Sequence, residues 1–263
     1  MLQTIIHASL SAGKEIMNIY LNEDFDINFK SDDSPLTKAD LRSHEIIMEH
    51  LKNTNIPVLS EEGKIIPFEQ RKDWPQLWIV DPLDGTKEFI KRNGEFTVNI
   101  ALVENQIPVL GVIYAPALQT LYFGAEGKAY RIEEVTLENY SEKLKSAKQL
   151  PLQKQSNQKP KFTIVASKSH LSIETETYIR SLEEKHAEVV TISKGSSLKF
   201  CMVAEGTANE YPRFAPTMEW DTAAGQAICT SSGYDVIDLD TNETMVYNRE
   251  NLLNSSFLAV RYS

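Results

Sequence analysis

Between residues 77 and 132 the chain alternates short apolar segments with polar turns, a pattern that strongly limits the possible folds. The apolar segments span residues 77–80, 96–103, 109–114, 121–123 and 128–132. Turn residues, such as Glu104-Asn105, separate one segment from the next. Strand-length segments divided by turn residues are typical of neighbouring antiparallel strands. The sequence therefore predicts an antiparallel meander in this region.

Two amphipathic helices are predicted before the meander. Apolar residues recur every three or four positions over residues 2–20 and again over 37–51, which is the spacing of one helix face. A short apolar strand is predicted over residues 56–59. The polar residues 63–76 are then predicted to form a mobile loop that leads into the meander.

Beyond residue 160 the pattern changes to an alternation of strands and helices, which is typical of α/β folds. Strands are predicted at residues 162–166, 189–192, 234–239 and 257–260, and helices at 173–184, 197–205 and 220–232. Gly233 follows the last of these helices and is predicted to end it.

The change of pattern predicts two domains in a mixed α+β and α/β fold. We expect an N-terminal α+β domain over residues 1–135, with an antiparallel sheet and most metal ligands, and a C-terminal α/β domain over 161–263. Residues 136–160 would connect them. At 263 residues and 41% hydrophobic content, the chain is long enough to bury a large core and to divide in this way.

Composition excludes several classes of partner. The formal net charge of −10 disfavours binding to nucleic-acid polymers and to anionic membrane surfaces. A small anionic substrate stays compatible with it, because bound cations can reverse the charge locally. The sequence contains neither a transmembrane-length apolar run nor a signal peptide, so we expect a cytoplasmic protein. Cys201 and Cys229, the only cysteines, are expected to be buried free thiols.

The sequence Asp-Pro-Leu-Asp-Gly-Thr at residues 81–86 is the most informative motif. It follows a buried strand and places two carboxylates at that strand's carboxyl end. Carboxylates this close repel one another unless a proton or a cation neutralises them, and oxygen ligands suit Mg²⁺. A turn in which Asp81 and Asp84 act only as caps is the alternative. The Asp-x-Asp-Gly-Thr motif of aspartyl-phosphate phosphatases has different spacing and does not fit.

Other acidic residues add weaker signals. Glu61 and Glu62 end the predicted strand over 56–59, where they could equally form a solvated face. Asp221 precedes a helix and could be its N-cap. Thr37 and Asp40 form a capping-box pattern. Each signal has a purely structural explanation by itself, so only their combination points to a site.

The combined motifs resemble the inositol monophosphatase superfamily of lithium-sensitive phosphatases. The resemblance is carried by residues 58–62, 81–86 and 220–225. Residues 84–90, 195–201 and 211–214 narrow it to the bacterial 3′(2′),5′-bisphosphate nucleotidase branch. It extends over nearly the whole chain and implies a layered α-β-α-β-α sandwich with the site between the two domains.

The resemblance also implies specific roles. Two or three Mg²⁺ ions would be bound by Glu61, Asp81, Asp84, Asp221 and the carbonyl of Leu83. Asp40, Thr86 and Glu61 would be catalytic, with Asp40 and Thr86 taking the proton from the attacking water. Substrate-binding residues would be Glu61, Leu83, Asp84, Gly85, Thr86, His170, Ser196, Lys199, Arg213 and Asp221.

The implied reaction is hydrolysis of 3′-phosphoadenosine 5′-phosphate, or of its 5′-phosphosulfate analogue, by water that Mg²⁺ activates. Lys199 and Arg213 would bind the second anionic group, which an inositol monophosphate lacks. An inositol or sugar phosphatase and a catalytically silent nucleotide-binding module are the alternatives. The resemblance further implies a role in sulfur metabolism. It also suggests peripheral attachment to the cytoplasmic face of the inner membrane, although the acidic composition does not favour such attachment.

Overall fold

The structure is a computed structural model that describes residues 1–22, 28–29, 35–153, 161–166 and 172–261. The α-helices are α1 Leu2–Asn22, α2 Lys38–Leu51, α3 Phe68–Arg71, α4 Thr86–Ile90, α5 Tyr140–Lys143, α6 Ile173–Glu183, α7 Leu198–Ala204 and α8 Glu219–Ser231. The strands are β1 Asn28–Phe29, β2 Pro35–Leu36, β3 Val58–Ser60, β4 Gln76–Asp84, β5 Thr97–Glu104, β6 Ile107–Ala115, β7 Thr120–Ala125, β8 Lys128–Ile132, β9 Lys148–Leu150, β10 Phe162–Ala166, β11 Val189–Ser193, β12 Glu210–Arg213, β13 Tyr234–Asp238, β14 Glu243–Thr244 and β15 Phe257–Arg261.

The first large sheet has seven strands in the order β3-β4-β5-β6-β7-β8-β9. β3 runs parallel to β4, and all later neighbours are antiparallel, so the predicted meander is present. Helices α1 and α2 pack on this sheet, and α8 contacts β4, β5, β6 and β7. Because helices cover both faces, β5 is buried along almost its whole length.

The second large sheet has six strands in the order β11-β10-β12-β15-β13-β14. Here β10 is parallel to both β11 and β12, and the other pairs are antiparallel. Tyr211 of β12 packs against Phe200 of α7, whereas its neighbour Glu210 accepts a hydrogen bond from Tyr178 of α6. Adjacent strand residues face opposite sides, so α6 and α7 lie on opposite faces of the sheet. The predicted layered sandwich is confirmed.

Glycines let α8 approach the first sheet closely. A Cβ atom added at Gly111 of β6 would lie 2.5 Å from the Ala224 carbonyl oxygen of α8. Gly225 of α8 is equally crowded, since its Cβ would lie 2.4 Å from the ring of Phe200 in α7. At separations this short a side chain fits only if a neighbouring group moves, so small residues determine how the central helix layer packs.

Several element boundaries differ from the sequence predictions. β4 continues through Asp84 rather than ending at Val80, with a bulge between Asp81 and Asp84. β9, in the stretch predicted as a connection, pairs with β8 and extends the first sheet. β12 was not predicted, because a strand of four residues that contains a proline gives little local signal.

Residues 63–76 are more structured than the predicted mobile loop. They contain α3, and Arg71 is 2% exposed. The Arg71 guanidinium donates to the Asn248 side-chain oxygen at 2.9 Å and to the Arg249 carbonyl at 2.7 Å. A buried arginine with several acceptors anchors this segment to the C-terminal part of the chain.

Two further predictions concern cysteines and membrane spans. Cys201 and Cys229 are buried free thiols, as expected. Within the described ranges, no helix has the length and hydrophobicity needed to cross a bilayer.

Candidate active site

The end of β4 presents the two carboxylates of the 81–86 motif. Asp81 is 1% exposed, and its Oδ1 accepts the backbone N–H of Leu83 at 3.0 Å. The Ser43 hydroxyl of α2 donates to the Pro82 carbonyl at 2.6 Å, which ties this turn to the helix layer. The bulge releases the chain from regular pairing with β5, so Asp81 and Asp84 can both face the site.

Asp221 reaches the same place from the first turn of α8. It is the third residue of that helix, not the N-cap, and its Oδ2 accepts the Met218 N–H at 2.7 Å. Ligand oxygens of Asp81, Asp84 and Asp221 all lie within 4.8 Å of one another. Three carboxylates from distant parts of the sequence therefore share one small volume.

Burial and mutual repulsion shift the acidity of these groups. Burial, and then the charge of Glu61, raises the pKa of Asp81 well above its usual range. Burial and the Asp84 charge raise the pKa of Asp221 to about 7. Burial also raises the pKa of Asp84, although the Lys199 ammonium opposes that shift. The cluster is costly to ionise without a positive partner.

Glu61 lies beside this cluster. It directly follows β3, and its backbone N–H donates to the Val80 carbonyl of β4 at 3.1 Å. The charge of Glu61 contributes to the raised pKa of both Asp81 and Asp221, so its side chain faces the same region. The parallel pairing of β3 and β4 explains this, because both strands end at the same edge of the sheet.

The donor set fits Mg²⁺. All the candidate ligand atoms are oxygens, which Mg²⁺ prefers, and a cation would remove the repulsion that raises these pKa values. The Leu83 carbonyl also lies at this turn, and its oxygen is 3.3 Å from the Thr86 hydroxyl oxygen. Asp81, Asp84 and Asp221, with Glu61 and the Leu83 carbonyl, are the residues that would hold the metal.

Asp40 and Thr86 meet at the edge of the carboxylate cluster. Asp40 is 1% exposed and caps α2, with its Oδ2 accepting from the Thr37 N–H at 2.8 Å and from the Thr37 hydroxyl at 2.5 Å. The Thr86 hydroxyl donates to Asp40 Oδ1 at 3.1 Å. Burial raises the pKa of Asp40 to about 6. The capping box is therefore real, but it also holds Asp40 against Thr86.

A cavity of about 150 Å³ opens beside the carboxylates. Its wall includes Asp84, Gly85, Lys87, Glu88, Gly195, Ser196, Ser197, Lys199, Phe200, Tyr211, Arg213, Thr217, Asp221 and Thr222. Gly85 has a φ of 91°, and α4 begins at the next residue. Glycine adopts this conformation readily, so its presence lets the chain turn sharply between β4 and α4.

Three cationic side chains, Lys87, Lys199 and Arg213, lie in the wall of the cavity. Lys199 is only 5% exposed, and its ammonium donates to the Ser196 carbonyl at 2.5 Å. Burial lowers the pKa of Lys199 to about 8, although the Asp84 charge opposes this shift. The Arg213 guanidinium donates to the carbonyls of Ala215 at 3.0 Å and Pro216 at 3.2 Å. Acidic and basic side chains therefore line the same cavity.

The structure brings most of the predicted site residues together. Asp81, Asp84 and Asp221 cluster, Glu61 lies beside them, and the Asp40–Thr86 pair adjoins Leu83. Gly85, Ser196, Lys199 and Arg213 line the neighbouring cavity. His170 lies outside the described residues. The roles assigned to these residues stay predictions.

Two neighbours of Asp84 were not found from the sequence. Asn99 of β5 donates to Asp84 Oδ2 at 3.3 Å, and the backbone N–H of Ser197 donates to the same oxygen at 2.6 Å. Asn99 did leave a signal, because it is a polar residue between the apolar residues Val98 and Ile100 of the strand. The contact from Ser197 had none, since any residue carries a backbone N–H.

Comparison with known proteins identifies the protein family to which the chain belongs. The sequence profile described as the inositol monophosphatase family matches residues 1–261. The chain belongs to this family, and the predicted membership and phosphatase class are confirmed.

Individual relatives within the family indicate a narrower group of enzymes than the family profile does. A protein of Salmonella typhimurium named 3′(2′),5′-bisphosphate nucleotidase CysQ is 45% identical, with 100% of both chains covered. The CysQ of Escherichia coli K12 is 43% identical, with 98% of each chain covered. The crystal structure of CysQ from Bacteroides thetaiotaomicron matches at 51% identity and a TM-score of 0.86, covering 99% of this chain and 96% of that one.

Proposed function

We propose that this chain hydrolyses 3′-phosphoadenosine 5′-phosphate to AMP and inorganic phosphate, with Mg²⁺ as its cofactor. The main supporting observation is that Asp84 and Asp221 of the carboxylate cluster line the same cavity as Lys199 and Arg213. A substrate with two separated anionic groups matches this arrangement. Relatives that are 43–45% identical carry the name 3′(2′),5′-bisphosphate nucleotidase.

The chain's own groups supply a route for the proton. A hydroxyl carries one proton, so when Thr86 donates to Asp40 its oxygen can accept a hydrogen bond from water. As the water oxygen attacks phosphorus, Thr86 would take a proton from the water and pass its own proton to Asp40. The bond to the ribose 3′-oxygen breaks, and that oxygen takes a proton from solvent to give the 3′-hydroxyl of AMP. Bound Mg²⁺ supplies Lewis-acid chemistry, which neutralises phosphoryl charge and lowers the pKa of water.

The second anionic group would contact Lys199, Arg213 and Ser196. An arginine can bind phosphate through two parallel hydrogen bonds, whereas a lysine acts as a compact charge. Each charge-assisted hydrogen bond contributes roughly 1.5–3 kcal/mol, which corresponds to about 10–100-fold in affinity. A monophosphate would lose that contribution, so we expect the bisphosphate to be preferred.

Phosphate release tests the proposal directly. The substrates are 3′-phosphoadenosine 5′-phosphate, adenosine 3′-monophosphate and inositol 1-phosphate, each assayed with Mg²⁺ and with EDTA. We expect kcat/KM to be highest for the bisphosphate, by at least about tenfold, and activity to disappear in EDTA and in Asp84→Asn. Higher kcat/KM for inositol 1-phosphate would favour an inositol phosphatase, and full activity in EDTA would contradict the metal assignment.

A further inference from the structure

Asn99 is a buried polar residue that contacts Asp84. It lies in β5, is 1% exposed, and donates from Nδ2 to Asp84 Oδ2 at 3.3 Å. Its neighbours along the strand, Val98 and Ile100, are both fully buried apolar residues. A buried amide is retained in such a strand only when its polar atoms have partners.

Two hydroxyls determine which way the Asn99 amide faces. Asn99 Oδ1 lies 2.8 Å from Ser197 Oγ and 3.0 Å from Thr97 Oγ1, and the two hydroxyl oxygens are 2.7 Å apart. Whichever hydroxyl donates to the other, one hydroxyl proton still points at Asn99 Oδ1. A flipped amide would instead set its oxygen against the Asp84 carboxylate, where two acceptors would repel.

Asp84 is consequently held from two sides. Asn99 of β5 and the backbone N–H of Ser197 both donate to Oδ2, while Oδ1 accepts neither bond. Ser197 lies in the segment before α7, whose Lys199 ammonium donates back to the Ser196 carbonyl at 2.5 Å. The carboxylate is thereby connected both to the first sheet and to the wall of the cavity.

We propose that Asn99 is a positioning residue which, with Thr97 and Ser197, orients Asp84 so that its Oδ1 is presented to the divalent cation. This rests on the proposed function only in requiring that the site bind a cation. Groups that orient a metal ligand typically change metal affinity by roughly 10–100-fold when they are removed. Asn99 need not touch the cation or the substrate to have this effect.

Binding of Mn²⁺ to the full chain, without substrate, tests the role of Asn99. Mn²⁺ prefers oxygen ligands as Mg²⁺ does, and free Mn²⁺ is measured by electron paramagnetic resonance. We expect Asn99→Ala to raise the dissociation constant roughly tenfold or more. Thr97→Val keeps Asn99 and nearly the same volume but removes one hydroxyl, so it should cause a smaller rise in the same direction.

Asn209→Ala is the matched control. Asn209 accepts the Thr163 N–H at 2.8 Å in the second sheet and does not line the cavity. Both variants lose a side-chain hydrogen bond within a sheet, so both should have lower unfolding midpoints in EDTA, while only Asn99→Ala weakens Mn²⁺ binding. If Asn99→Ala does not fold, the Mn²⁺ affinity of Thr97→Val tests the positioning role instead.

The outcomes separate the two proposals. Unchanged Mn²⁺ affinity in the folded Asn99 and Thr97 variants, or an equal loss in the Asn209 control, would overturn the positioning role alone. If the unaltered chain binds no Mn²⁺, the metal site itself is wrong and both proposals fail.

Discussion

At the scale of single residues, Asp40 shows how one carboxylate can serve both structure and chemistry. Its Oδ2 is occupied by Thr37 at the start of α2, and its Oδ1 accepts from Thr86. A capping role alone would be met by an exposed side chain, yet Asp40 is 1% exposed. The burial that raises its pKa to about 6 also brings it close to the proton affinity that a base needs near neutral pH.

Asp40→Asn should therefore lower kcat by about 10²–10⁴-fold with little change in KM, because the amide cannot accept the proton. In the unaltered chain, kcat should rise as pH increases through about 6, where Asp40 ionises. Steady-state rates from acidic to mildly alkaline pH test both points. A variant that keeps kcat within threefold would show that Asp40 serves only as a helix cap.

Lys199 is a second site residue whose side chain is buried although it carries a charge. It is 5% exposed, and its ammonium lies 5.4 Å from the centre of the Tyr211 ring. We expect Lys199→Met to raise KM for 3′-phosphoadenosine 5′-phosphate by roughly 10–100-fold and KM for adenosine 3′-monophosphate much less. Parallel KM measurements on both substrates check this. Equal increases would place Lys199 near the scissile phosphate instead of the second one.

At the scale of elements, α8 links the core to the site. Its first turn carries Asp221, while its buried face packs between β6 and α7 through Gly111 and Gly225. Glu219, which is fully buried, accepts the backbone N–H groups of Asn248 and Arg249 at 2.7 and 3.0 Å. The helix start is thus held by the same segment that Arg71 contacts, which limits the positions that Asp221 can adopt.

Gly225→Ala tests the packing of α8. Helix propensity alone would favour alanine by about 1 kcal/mol, but its Cβ would lie 2.4 Å from the buried Phe200 ring. Overpacking usually costs about 1–3 kcal/mol, and an approach this close belongs in the upper part of that range. After the gain in helix propensity, we expect a net loss of about 1–2 kcal/mol in the free energy of unfolding.

Urea denaturation measures this effect, and Thr230→Ala, on the exposed side of α8, is the control. The control should stay within about 0.5 kcal/mol of the unaltered chain. A Gly225→Ala protein that is as stable as the control would mean that Phe200 can move aside.

At the scale of the whole molecule, bringing the acidic residues of the site together lowers the stability of the folded chain. β3 and β4 of the first sheet and α8 of the central helix layer bring Glu61, Asp81, Asp84 and Asp221 together. These groups lose water and face one another, which raises the pKa of Asp81 and Asp221. A bound cation would offset this cost, so the metal should stabilise the folded chain as well as activate it.

The pH dependence of stability in EDTA tests this cost. The pKa of Asp221 is about 7 in the folded chain and has its ordinary acidic value when unfolded. Between those values the folded state holds a proton that the unfolded state has lost, so the free energy of unfolding should fall as pH rises towards about 7 and level off above it.

Asp221→Asn removes this titration and should reduce the decline by about 1–2 kcal/mol between mildly acidic and mildly alkaline pH. Chemical denaturation at several pH values, with and without Mg²⁺, provides the measurement. Identical pH profiles for the variant and the unaltered chain would show that Asp221 is already ionised without metal.

Local sequence patterns determined many of the helices and strands of this protein and one pair of its site residues. Apolar periodicity predicted α1, α2 and the meander, because a helix or strand with one face in the core repeats its apolar residues at a fixed spacing. The motif at 81–86 predicted a carboxylate pair, since both residues follow one strand.

Only the tertiary structure decided which distant groups meet. The Asn99 amide on Asp84, the anchoring of Arg71 by residues 248–250 and the burial of Lys199 all depend on contacts between separate elements. Neither spacing nor residue type encodes such contacts, because they arise when layers pack and each layer's position depends on all the others.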